Sequence, residues 1–101
     1  MKELKRIRNI VCQVVELHPA WFCYKSRKTS IVLARHFYHY FCMEMKLDID
    51  KVIKLSKRDR TSVYYSYNTI SDWLENDKDI QSKEKSIRNR LTELKILNQN
   101  N

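Results

Sequence analysis

The sequence contains no glycine and one proline, Pro19, among its 101 residues. Glycine takes positive φ without steric cost, so tight hairpins lack material here, whereas helices joined by short polar loops seldom need either residue. A glycine-rich loop that cradles nucleotide phosphates is excluded outright. Long apolar runs are missing too. No stretch approaches the roughly 18 residues that a bilayer requires, and the N-terminal MKELKRIRNI has no apolar export core. Three cysteines, Cys12, Cys23 and Cys42, are an odd number without the close spacing of a disulfide framework. A reducing, cytoplasmic setting is expected.

What remains is a chain that is 43% hydrophobic and 32% charged, a balance that excludes both a disordered tail and a membrane span. Its length suits one domain over residues 1–101 with one modest core. The expected fold class is all-α, a small bundle of about five to six helices.

Charge of one sign dominates. Twenty Lys and Arg against twelve Asp and Glu give +8, and residues 25–62 alone carry ten basic and four acidic side chains, or six of the eight excess charges. Excess spread for solubility would be even; charge concentrated in one third of a small body points to an anionic partner.

Periodicity supplies the elements. Leu4, Ile7, Val11 and Val14 mark a first helix ending near Leu17, and Pro19 suits the start of a short one whose Trp21 and Phe22 cover the core edge. The polar run Tyr24 to Ser30 reads as an exposed basic loop, with Thr29 or Ser30 as the cap of the next helix. The strongest stripe is Ala34, Phe37, Tyr38, Phe41, Cys42 and Met45, the central helix of the bundle. Asp48 caps a two-turn helix to Leu55, and Asp59 caps another with the stripe Val63, Tyr67, Ile70 and Leu74. A last helix carries Ile80, Ile87, Leu91 and Leu94 before a polar tail, residues 98–101, that frays.

A short helix, a break of three or four residues and a capped longer helix make a helix-turn-helix, whose second helix can enter a major groove. Opposite its buried stripe stand Arg60, Thr61, Tyr64, Tyr65 and Asn68. Arg58 or Arg60 can give two donors to guanine, Asp59 can accept from cytosine or orient an arginine, and Thr61 can meet a thymine methyl or a phosphate. Tyr65 suits a sugar-phosphate contact. An ordinary helical corner with a solvated, charged end has the same pattern.

The runs Ser26-Arg27-Lys28, Ile31 to His36, and Arg58-Asp59-Arg60-Thr61-Ser62-Val63 resemble the C-terminal DNA-binding domain of the bacterial chromosomal replication initiator DnaA, from about Arg6 to about Leu94. The resemblance implies an all-helical domain of the Trp repressor-like helix-turn-helix type. It further implies base reading in the major groove by Arg58, Asp59, Arg60, Thr61 and Ser62. Phosphate or minor-groove contacts fall to Lys25, Ser26, Arg27, Lys28, Arg35, Lys57 and Tyr65. Three positions depart from the family. Its paired turn glycines are Ser56-Lys57 here, its base-reading histidine is Arg60, and its usual minor-groove arginine falls on Leu33, leaving that task to Arg27 or Lys28.

The expected partner is double-stranded DNA, in replication initiation or its regulation in a nucleoid-associated setting, with possible replication or mobile-element proteins beside it. No cofactor, nucleotide, metal, membrane or catalytic residue is expected. An initial Met and a polar end favour a free-standing module, of the kind a mobile element or phage encodes, over a piece of something larger. A His36, His39 and Cys42 metal site is strained, because the outer two lie about 120° apart on one helix. Cys23 with His18 lacks an oriented third partner for nucleophilic catalysis. The alternative of a different class is a protein-interaction module that docks an acidic or helical partner. RNA binding is weaker, since a helical chain offers no strand platform for stacked bases.

Overall fold

The apolar stripes become five α-helices and one 3-10 turn in a computed structural model that describes residues 2–94. Helix α1 spans Lys2–Val14, α2 Thr29–Glu44, α3 Ile49–Ser56, α4 Arg60–Leu74 and α5 Lys78–Glu93, with the 3-10 turn at Pro19–Trp21. No strand occurs among the described residues, so the all-α expectation holds.

Helix α2 is the hub, packing against α1, α3 and α4, while α5 lies across α1 and α4. From His36 to Cys42 every α2 side chain is buried, which is what a helix surrounded by others requires. Phe37, Tyr38 and Phe41 meet Ile7, Val11, Phe22, Val52, Val63, Ile70, Ile87 and Leu91 in one core, each such side chain contributing about 1.5–3 kcal/mol. Phe22 packs edge-on against Tyr38, ring centroids 5.2 Å apart. Glu44 at the end of α2 accepts from Tyr67 Oη at 3.1 Å and pairs with Arg88 at 3.5 Å, tying α2, α4 and α5 together.

The capping aspartates behave as read. Asp48 Oδ1 accepts from the Asp50 N–H at 2.9 Å, and Asp59 Oδ1 from the Ser62 N–H at 2.8 Å. Elsewhere the structure departs from the sequence reading. Helix α1 stops at Val14, not Leu17, because Glu16 turns left-handed (φ 59°) and the Leu17 N–H reaches back to the Cys12 carbonyl at 2.8 Å. Neither Thr29 nor Ser30 caps α2; Lys28 is its N-cap, without a side-chain bond. Trp21 is 48% exposed and leaves the core to Phe22, and Leu94 is 52% exposed, past the end of α5. The tail at 98–101 lies outside the described residues.

The missing glycines have a visible consequence. Glu16, Lys46 and Lys57 all adopt φ between 55° and 59°, just beyond α1, α2 and α3. After each, the next N–H bonds back five residues, Leu17 to Cys12, Leu47 to Cys42 and Arg58 to Ile53. This is the helix-end geometry that glycine usually serves. A side chain there costs about 1–2 kcal/mol, and here long polar ones occupy it. The turn between α3 and α4 therefore keeps a left-handed residue where the resembling family has glycine.

Candidate functional site

Helix α3, the turn Lys57–Asp59 and α4 form the helix-turn-helix, and its geometry brings two separate basic segments together. A hollow of about 470 Å³ lies between the Lys25–Arg27 loop, the first turns of α2, and the turn into α4. Five cations line it, Lys25, Arg27, Arg35, Lys57 and Arg58, with Ser26, Ser62 and the single carboxylate of Asp59.

Each wall has a local cause. The loop is shaped by Ser26, whose Oγ accepts from the Lys28 N–H at 3.1 Å. Arg58 joins loop to turn: Nη1 donates to the Lys57 carbonyl at 3.1 Å and Nη2 to the Tyr24 carbonyl at 3.2 Å. Asp59 is occupied by capping, and the Ser62 N–H and hydroxyl hold its carboxyl below the ordinary range. Arg35 projects from the second turn of α2, and its Nη1 is buried with no hydrogen-bond partner among the described residues. Burial, then the charge of Arg58, pulls its guanidinium below the usual arginine range. A half-buried guanidinium with one buried, unbonded nitrogen, set beside four other cations, favours an anion there.

On the exposed face of α4 stand Arg60, Thr61, Tyr64, Tyr65 and Asn68. Arg60 Nη2 donates to Asp50 Oδ1 of α3 at 2.9 Å, an exposed ion pair that directs the side chain across the mouth of the motif. Tyr65 is 65% exposed and rests its ring edge against His36, centroids 5.8 Å apart. Thus Lys25, Ser26, Arg27, Arg35, Lys57, Arg58, Asp59 and Ser62 converge on the hollow, while Lys28, Arg60, Thr61 and Tyr65 do not line it.

Behind the face runs a buried polar chain that periodicity did not reveal. His36 Nδ1 meets Ser66 Oγ at 2.8 Å, His39 Nδ1 meets the same oxygen at 3.0 Å, and His39 Nε2 meets Ser56 Oγ at 2.9 Å. Ser56 Oγ also lies 3.3 Å from the Val52 carbonyl, so each ring nitrogen of His39 faces a hydroxyl that can either donate or accept. Both rings are neutral: burial, then the nearby Arg35 charge, pushes His36 down to about 4 and His39 down to about 3. The chain fastens α2 to α3 through Ser56 and to α4 through Ser66. Two hydroxyls inside otherwise apolar stripes were the only signal available.

These contacts also bear on the other chemistries. His36 and His39 share Ser66, and no group of three metal-ligating side chains gathers among the described residues. Cys23 Sγ donates to the Leu55 carbonyl at 3.2 Å, and His18 Nδ1 accepts from the Ala20 N–H at 3.0 Å, so the two do not pair. Burial pushes Cys12 up to about 11 and Cys42 up to about 12, leaving both as inert thiols. No helix among the described residues is long and apolar enough to cross a membrane.

A family model described as the bacterial dnaA protein helix-turn-helix matches residues 4–70. That match ends within α4, whereas the resemblance in sequence extends to about Leu94. Comparison with curated proteins and with solved structures returned no match.

Proposed function

The chain belongs to the bacterial DnaA helix-turn-helix family, and from that premise we propose that it binds duplex DNA with a sequence preference, in replication initiation or its regulation. Members of this family bind DNA, which is the coarse part of the reading. The finer part rests on one observation above all: the five-cation hollow formed where the basic loop, α2 and the recognition turn meet.

In this reading α4 enters the major groove by its N-terminal turn, with Arg60, Thr61 and Ser62 toward base edges. Asp50 holds Arg60 through Nη2 alone, leaving donors for a guanine edge, and keeps the side chain from wandering among phosphates. Arg35, Lys57, Lys25 and Arg58 take a phosphate in the hollow, and Arg27 and Lys28 follow the backbone toward the minor groove. Asp59 acts chiefly as the cap that fixes the helix start, and Tyr65 reaches a sugar-phosphate. Such a module would act in the cytoplasm, at the nucleoid.

Selection from a random duplex library tests this. We expect one enriched motif. On that site Arg60→Ala costs about 1–3 kcal/mol with little change in nonspecific binding, whereas Lys28→Ala weakens all sequences alike. Equal affinity for every duplex and for an unrelated polyanion overturns the sequence-preferring claim and favours an acidic protein partner.

A further inference from the structure

A second hollow, of about 310 Å³, adjoins the first but shares only Ser26 with it. Lys25 and Arg27 line one hollow, Lys28 and Ser30 the other, so the basic loop runs between them. The second has a different character. Trp21 and Tyr24 form an aromatic corner, ring centroids 4.6 Å apart and planes tilted by 58°. Both rings are about half exposed, although Phe22 between them is fully buried. Covering the core is therefore Phe22's task, and its two larger neighbours are left half exposed at the hollow.

The apolar residues Leu17 and Ile31 complete the lining beside Lys28, His18 and Glu16. His18 Nδ1 accepts a backbone N–H, so Nε2 carries the proton and is the ring's free donor. One hollow thus offers an aromatic face, a cation, neutral donors and one carboxylate acceptor. A planar heteroaromatic ring bearing an amino group and linked to a phosphate matches each in turn. The volume sits at the low end of the ligand-pocket range, enough for one nucleotide and too small for a dinucleotide.

We propose that the Trp21/Tyr24 hollow binds a single unpaired nucleotide, its base on the aromatic corner and its phosphate at Lys28. The same chemistry comes from two sources, a free nucleoside monophosphate or one nucleotide of a single strand. Contact with the basic loop puts the hollow where a strand leaving the cationic hollow arrives. No residue assigned to base reading lines this site, but Lys28 and Ser26, assigned to duplex backbone contacts, do, so the Trp21 arm carries the separation from the duplex reading.

The protein carries two tryptophans, so a Trp73→Phe chain leaves Trp21 as sole reporter. It is titrated with deoxyadenosine monophosphate, a single-stranded deoxyadenosine tetramer, and an abasic tetramer of equal charge. Quenching of Trp21 by the monophosphate, by the base-bearing tetramer or by both is expected, with none from the abasic strand; which of the two quenches identifies the source. In the full chain, Trp21→Ala lowers the affinity of whichever base-bearing ligand quenched by about tenfold and leaves duplex affinity within about twofold. Lys28→Gln weakens that ligand while preserving the Trp21 response at saturation, a second arm should Trp21→Ala fail to fold. Equal quenching by the abasic strand, or no quenching by any ligand at millimolar concentration, overturns the proposal. Loss of the duplex motif in the library selection leaves these outcomes unchanged, so the two readings fail separately.

Discussion

Arg35 is the residue in which stability and function oppose each other most directly. Its Nη1 is buried without a partner among the described residues, and four of its seven neighbours in the hollow are cations. Arg35→Met keeps the stem and removes the charge. We expect the variant to unfold at higher urea concentration, by about 1 kcal/mol, while binding duplex more weakly with a salt slope smaller by about one. Parallel losses of stability and affinity would show instead that the guanidinium is structural. Left-handed residues permit a second test. Lys46→Gly relieves a strained φ away from the site and should stabilise by about 1 kcal/mol, raising Tm by about 4–8 °C. Lys57→Gly should give a similar Tm gain but weaker DNA binding, since it also removes a lining cation.

At the level of elements, the buried His36–Ser66–His39–Ser56 chain sets how α2 holds the helix-turn-helix. Ser66→Ala leaves two ring nitrogens without a partner and should cost about 1–3 kcal/mol by urea denaturation. Both imidazoles bind protons less readily folded than unfolded. Their stabilisation is therefore complete above about pH 6.5 and declines as pH falls toward about 4 for His36 and about 3 for His39, by up to about 1.4 kcal/mol per pH unit for each ring. Urea midpoints measured between pH 7 and 4.5 should follow this slope, and a His36→Gln, His39→Gln chain should flatten it. Helix α2 was legible in the sequence because an apolar stripe sustained from Ala34 to Met45 leaves little choice, and the starts of α3 and α4 were legible because aspartate caps are local. Helix ends were not, since their usual marker, glycine, is absent and Glu16, Lys46 and Lys57 stand in its place. Nor was the histidine chain, whose partners lie 17 to 30 residues apart. Charge counting found the basic segment, but only the fold shows that Arg35 and Arg58 face one hollow while Arg60 turns to Asp50.

For the molecule as a whole, the family match ends at residue 70, yet the core does not. Ile80, Ile87 and Leu91 of α5 are buried against the rest, and Arg88 lies over the Phe41 ring at 5.3 Å as well as pairing with Glu84 and Glu44. Three such side chains contribute roughly 5–9 kcal/mol together, comparable to the total stability of a small domain. A chain truncated after Asn76 should lose its cooperative thermal transition, as followed by circular dichroism. A sharp transition near that of the full chain would mean that α5 is an accessory.

Arg58, by bonding at once to the carbonyls of Lys57 and Tyr24, makes the basic loop and the recognition turn into the two jaws of one caliper. A caliper measures spacing as well as shape. With α4 on base edges and the loop on phosphates, as proposed, one inserted base pair would rotate the two contacts apart by about 35° and lengthen the span by about 3.4 Å. Jaws locked by a guanidinium cannot follow that change, so the protein's selectivity would extend to distances along the helix and not only to the letters it touches.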